Sequence, residues 1–108
     1  MRTIKSLPLK DWKDIYESNK DFIVIDIRAE DDFDREHVKR SININYQDPN
    51  FISLIDKLDK KKSYLVYCKS GFRCSKTLEL MGTLEFEKAY GLEGGIDSWK
   101  DSRLKVEK

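Results

Sequence analysis

The stretch Phe22-Ile23-Val24-Ile25-Asp26-Ile27 narrows the possible folds most. It is apolar and β-branched at nearly every position, so as a strand it has no polar side to turn to water. Strands of this kind are buried on both faces, and the usual cover is helices packed on each side of a parallel sheet. Tyr64-Leu65-Val66-Tyr67 has the same character and runs straight into Cys68.

The segments around these two runs alternate in period. Ile4 and Leu7 suggest a short first strand, which Pro8 ends. Leu9, Trp12, Ile15 and Tyr16 fall at helical spacing and predict a helix over 9–18. Glu30 to Glu36 is polar around Phe33, a short helix at most, and Ile42-Asn43-Ile44 is a short strand. Pro49 precedes a helix carrying Phe51, Ile52, Leu54, Ile55 and Leu58. A helix is predicted from Cys74 to Phe86, with Leu78, Met81 and Leu84 on one side. Lys88 to Leu92 reads as the last strand, and Gly94-Gly95 opens a helix with Ile96 and Trp99. The polar residues Asp101 to Lys108 are expected to fray. Strands and helices alternate throughout, which predicts one α/β domain over 1–108: three layers, a mostly parallel five-stranded sheet, helices on both faces. In such sheets ligands sit beyond the carboxyl ends of the strands, where Asp26 and Cys68 fall.

The connection after Cys68 carries the chemistry. Cys68-Lys69-Ser70-Gly71-Phe72-Arg73 is a short loop between a strand and a helix start. That arrangement turns backbone N–H groups toward an anion. Thiols near helix N-termini and cations are driven toward the thiolate, the nucleophilic form. Lys69, Arg73 and Lys76 supply the cations, and Gly71 permits a turn that a side chain would obstruct. The pattern predicts an activated sulfur nucleophile inside an anion-binding loop. Ser70 adds a hydroxyl donor.

Composition removes several alternatives. Lys+Arg of 21 against Asp+Glu of 20 leaves a net charge of +1, which gives no electrostatic case for nucleic acid. Lys60-Lys61-Lys62 reads as a solvated turn. No apolar run reaches the ~18 residues of a membrane span, and Met1 to Lys10 has no leader-like apolar core, so a soluble cytoplasmic protein is expected. Two cysteines are too few for a disulfide scaffold or a zinc site. No metal and no organic cofactor are expected.

Three motifs, in order and spacing, make the chain resemble a rhodanese-like protein over roughly 22–100. Ile25-Asp26-Ile27-Arg28, with Phe33 and His37-Val38, resembles the family's Asp-Val-Arg strand end and Gly-His-Ile segment. Tyr67 to Arg73 resembles its active-site loop, and Leu92-Glu93-Gly94-Gly95-Ile96 with Trp99 its closing helix. Glu36 stands in place of a usual glycine, Lys39 and Arg40 replace a usual proline and glycine, and Cys74 replaces a common serine. The Lys39-Arg40 turn is therefore expected to differ in shape.

The resemblance implies sulfur transfer. Cys68 would take the outer sulfur of thiosulfate or a related persulfide, hold it as a persulfide, and pass it to cyanide, a thiol or a protein acceptor. Lys69, Ser70, Gly71, Phe72 and Arg73 would form the anion-binding loop. Asp26, Arg28 and His37 would be structural support. A rhodanese-like binding or sulfur-carrier module without catalysis is the alternative. A cysteine phosphatase or arsenate reductase is a lesser one. Phosphatase loops are one residue longer between cysteine and arginine, and Asp26 and Asp97 are weak candidates for the general acid they need. Cys74 packs at the helix start in the simplest reading. In another it resolves an oxidised Cys68 into a disulfide.

Overall fold

The computed structural model describes residues 2–108; the leader reading begins at Met1, which lies outside them. Five strands and five helices follow one another: β1 Thr3–Leu7, α1 Leu9–Ser18, β2 Ile23–Asp26, α2 Glu30–Arg35, β3 Ser41–Asn43, α3 Phe51–Asp56, β4 Ser63–Tyr67, α4 Phe72–Thr83, β5 Lys88–Leu92 and α5 Gly95–Asp101. The strands form one sheet in the order β1-β5-β4-β2-β3. Every pairing between them is parallel, so the sheet is all-parallel rather than mostly so.

Alternation along the two apolar runs sorts the core into halves. Ile25, Tyr64, Val66 and Cys68 point to one face, where Phe51 and Ile55 of α3 and Leu78 and Met81 of α4 cover them. Val24, Leu65 and Tyr67 point to the other, against Trp12 of α1 and Ile96 and Trp99 of α5. The side-chain period of two in a strand makes this division automatic. Trp12 is fully enclosed, edge-on to both Tyr67 and Trp99.

Two sequence expectations change. The helix after the cysteine loop begins at Phe72, not Cys74, and ends at Thr83, not Phe86. Glu85 then adopts φ 66°, and Phe86 turns back into the core against Tyr64. The C-terminal residues do not fray. Leu104 and Val106 pack on the Trp12–Trp99 half of the core. Trp99 Nε1 donates to the Lys105 carbonyl at 2.9 Å. His37 and Glu107 exchange backbone hydrogen bonds at 2.8 and 2.7 Å. The charges in Asp101–Lys108 hid two apolar residues two positions apart, the spacing of an extended segment lying on a core.

At the Lys39-Arg40 turn, Arg40 takes φ 75°, a conformation costing a side-chain-bearing residue about 1 kcal/mol. Its guanidinium donates to the Tyr16 carbonyl at 2.7 Å and lies 4.4 Å from the Tyr16 ring centroid, contacts that glycine cannot make. No helix among the described residues is long and apolar enough to cross a membrane.

Candidate active site

The strand order reverses direction between β2 and β4. The chain leaves β2 toward β3 at one edge and leaves β4 toward β5 on the other side. Between two such connections a crevice opens at the carboxyl ends of the strands. Asp26 pairs in register with Tyr67, so Arg28 and Cys68 emerge beside each other at that crevice. A cavity of about 260 Å³ fills it, and Arg28, Cys68, Lys69, Ser70 and Arg73 line its wall.

Cys68 is 3 % exposed and free, and it is one of the residues that line this cavity. The Gly71 N–H donates to Sγ at 2.9 Å, folding the loop back over its own cysteine. Gly71 has φ 105°, a backbone region that side chains rarely enter, and a Cβ there would come within 3.2 Å of the Gly94 nitrogen. The loop then runs directly into α4, whose first N–H groups lack intrahelical partners.

The Gly94-Gly95 turn holds the loop from behind. Ile96 N–H donates to the Cys68 carbonyl at 2.9 Å, and Asp97 N–H to the Lys69 carbonyl at 3.1 Å. Gly95 has φ 58°, and a Cβ on it would lie 2.4 Å from both of those carbonyl oxygens. Gly95→Ala is therefore expected to push the cysteine loop off α5. The left-handed backbone alone costs about 1–2 kcal/mol, and both hydrogen bonds stretch. A thermal scan should show a clear drop in Tm, and any activity routed through Cys68 should fall at least tenfold. An unchanged turnover would mean that the loop does not depend on this support.

Asp26 and Arg28 brace the other side of the crevice. Asp26 is wholly buried and Arg28 is 9 % exposed. Arg28 donates from Nε to both Asp26 oxygens at 3.1 and 3.0 Å, and from Nη2 to Oδ2 at 2.7 Å. Its backbone N–H adds a bond of 2.8 Å to Oδ1. Asn43 Nδ2 ties down the Asp26 and Arg28 carbonyls. Burial works against the Arg28 charge, but the bonds to Asp26 and its attraction outweigh burial and raise the guanidinium above its ordinary pKa. Burial, reinforced by the Asp26 charge, pushes the Tyr67 phenol up, so it stays neutral and accepts from Val38 N–H at 3.0 Å.

His37 lies outside the cavity wall. Its Nδ1 meets the Phe33 carbonyl at 2.8 Å, its Nε2 lies 3.3 Å from Glu107, and its ring stacks on Phe33 at 3.9 Å. Those contacts tie α2 to the C-terminal segment. Phe72 also lies off the cavity wall; it is the first residue of α4 and is 71 % exposed. The Lys69 ammonium reaches Asp97 at 3.4 Å. The Arg73 guanidinium lies over the Tyr46 ring at 5.5 Å.

Cys74 is 1 % exposed, and its thiol donates to the Val66 carbonyl at 3.4 Å. Burial, and after it the Cys68 charge, push this thiol well above the ordinary range. It stays protonated and inert at neutral pH. Brief treatment of the folded protein with iodoacetamide at pH 7.5 should label Cys68 alone, with Cys74 following only in denaturant. Peptide mapping that finds equal labelling would overturn this assignment.

Sequence reasoning missed Asp32 and Gln47, which also line the cavity. Asp32 was hidden in a segment read only as polar, and Gln47 lies in a connection with no periodicity. It also missed the clamp by α5, since the glycine pair signals a turn but not what the turn touches.

Comparison with known proteins finds both relatives and solved structures similar to this chain. A thiosulfate sulfurtransferase GlpE from Coxiella burnetii is 28 % identical over 81 residues, covering 75 % of this chain and 74 % of that protein. A tRNA uridine(34) hydroxylase from Rickettsia canadensis is 33 % identical over 91 residues, covering 81 % of this chain but only 36 % of that protein. The crystal structure of a rhodanese-related protein from Thermoplasma volcanium superposes with a TM-score of 0.80 at 27 % identity, covering 94 % of this chain and 96 % of that one. The rhodanese-like domain pattern matches residues 9–102. All three motifs and both sides of the crevice fall inside that match, and the chain belongs to the rhodanese-like domain family.

Proposed function

We propose that this chain is a sulfurtransferase that works through a persulfide on Cys68. The observation that carries the reading is the 2.9 Å hydrogen bond from Gly71 N–H to Cys68 Sγ inside a cavity with Arg28, Lys69 and Arg73 on its wall. The thiolate attacks the outer sulfur of an anionic donor. With thiosulfate, a bond forms between Sγ and that sulfur, the donor's S–S bond breaks, and sulfite leaves with the electron pair. A thiophile such as cyanide or a thiolate then attacks the bound sulfur and releases Cys68 as thiolate. The chemistry is covalent and needs no general base once the thiolate exists. The loop amide stabilises the charge on sulfur as an oxyanion hole does on oxygen. The similarity to a protein named a thiosulfate sulfurtransferase, over three quarters of the chain, supports the same reading.

Intact mass spectrometry after incubation with thiosulfate tests it. One added sulfur atom on Cys68, removed by cyanide with formation of thiocyanate, is expected. A protein that takes up no sulfur from thiosulfate or from a low-molecular-weight persulfide would instead be a binding module.

A further inference from the structure

The cavity's charges are not those of a simple anion trap. Arg28 spends its charge on the buried Asp26 carboxylate, 2.7 Å away. Lys69 is opposed by Asp97. Among the described residues Arg73 is in no ion pair; its partner is the neutral Tyr46 ring. On the wall contributed by α2 stands a carboxylate, Asp32. Its partner is Arg35, an exposed neighbour at 3.4 Å that water screens heavily. Asp32 also adds to the field that keeps Arg28 charged, which places its charge close to the crevice. The Lys69–Asp97 pair is as long and as exposed as the Asp32–Arg35 pair, so water screens both, and a donor in this cavity meets two cations, Lys69 and Arg73, and one carboxylate on the wall that also carries Cys68. Thiosulfate, a dianion, is attracted by the cations and repelled by the carboxylate.

Size allows a larger donor than thiosulfate: a crevice of about 260 Å³ admits a free amino-acid persulfide.

We propose that Asp32 selects the sulfur donor, favouring a low-molecular-weight persulfide with an ammonium group beside its carboxylate, of the cysteine persulfide class, over dianionic thiosulfate. This rests on the sulfurtransferase reading above and names the donor for it. Asp32 takes the ammonium group and Arg73 the carboxylate. The Cys68 thiolate attacks the terminal sulfur of R–S–SH. The new S–S bond forms at Sγ, the donor's S–S bond breaks, the electron pair leaves on R–S⁻, and the proton stays on the transferred sulfur. No oxidant or reductant is consumed.

The test follows sulfur arrival on Cys68 by rapid-quench intact mass with three donors: cysteine persulfide, N-acetylcysteine persulfide and thiosulfate. Acetylation removes the ammonium charge and keeps the carboxylate. In the unmodified protein, N-acetylcysteine persulfide is expected to react roughly three- to five-fold more slowly than cysteine persulfide. Asp32→Asn should erase that gap and speed thiosulfate by a similar factor, so the ratio of cysteine persulfide to thiosulfate rates shifts about tenfold. Asp32→Glu keeps the charge and should keep the preference, which guards against a merely unfolded asparagine variant. Equal rates for the free and acetylated persulfides in the unmodified protein would overturn the proposal, as would a gap that survives Asp32→Asn. Failure of every donor to leave sulfur on Cys68 would overturn the sulfurtransferase reading itself.

Discussion

Cys68→Ser is expected to abolish thiosulfate:cyanide sulfurtransferase turnover, a fall of at least about a thousandfold, as for other catalytic nucleophiles. The reason lies in the atom rather than in the shape. Serine preserves the loop, because its hydroxyl oxygen can still accept from Gly71 N–H, the donor that reaches Cys68 Sγ at 2.9 Å. A hydroxyl at neutral pH is protonated and a poor nucleophile toward sulfur, and the single histidine, His37, is tied to Phe33 and Glu107, off the cavity wall. The variant should therefore fold, with an unchanged far-UV spectrum and a Tm within a few degrees, and form no thiocyanate. Turnover surviving the substitution would remove Cys68 from the chemistry. The buried Cys74 would be the next thiol to examine.

Asp26→Ala should be the most destabilising single change at the crevice. It strips Arg28 of three side-chain hydrogen bonds and one backbone bond, and leaves a guanidinium that is 9 % exposed with no carboxylate bonded to it. Breaking a buried ion pair from one side costs about 3–5 kcal/mol, because the surviving charge stays desolvated. Natural domains are stable by about 5–15 kcal/mol, so this is a large share of the total. For a chain of this length, each kcal/mol shifts Tm by about 4 °C or more, so a drop of roughly 12–20 °C is expected. Denaturant melts of Asp26→Ala and of the double variant Asp26→Ala/Arg28→Met separate the causes. The double variant should recover part of the loss, since methionine leaves no orphaned charge. A Tm shift of a degree or two in the single variant would show that water relieves Arg28 in place of Asp26.

The sequence alone carried the layout. Two strands without a polar face require cover on both sides, so the 22–27 and 64–67 runs already dictated a parallel sheet between helices. The 9–18 helix and the 88–92 strand match their observed bounds because their apolar periods are clean. Cys68 at a strand end, Gly71 in the loop and Arg73 beyond it marked the reactive stretch, because those are local needs: a turn, an amide cradle and a cation. Tertiary structure alone decided who meets whom. That α5 clamps the cysteine loop, that Asp32 reaches the cavity and that Leu104 and Val106 close the core all depend on strand order and register. Periodicity reports which side of an element is apolar. It says nothing of which distant element arrives there, because that follows from crossovers and packing that no local window of residues contains.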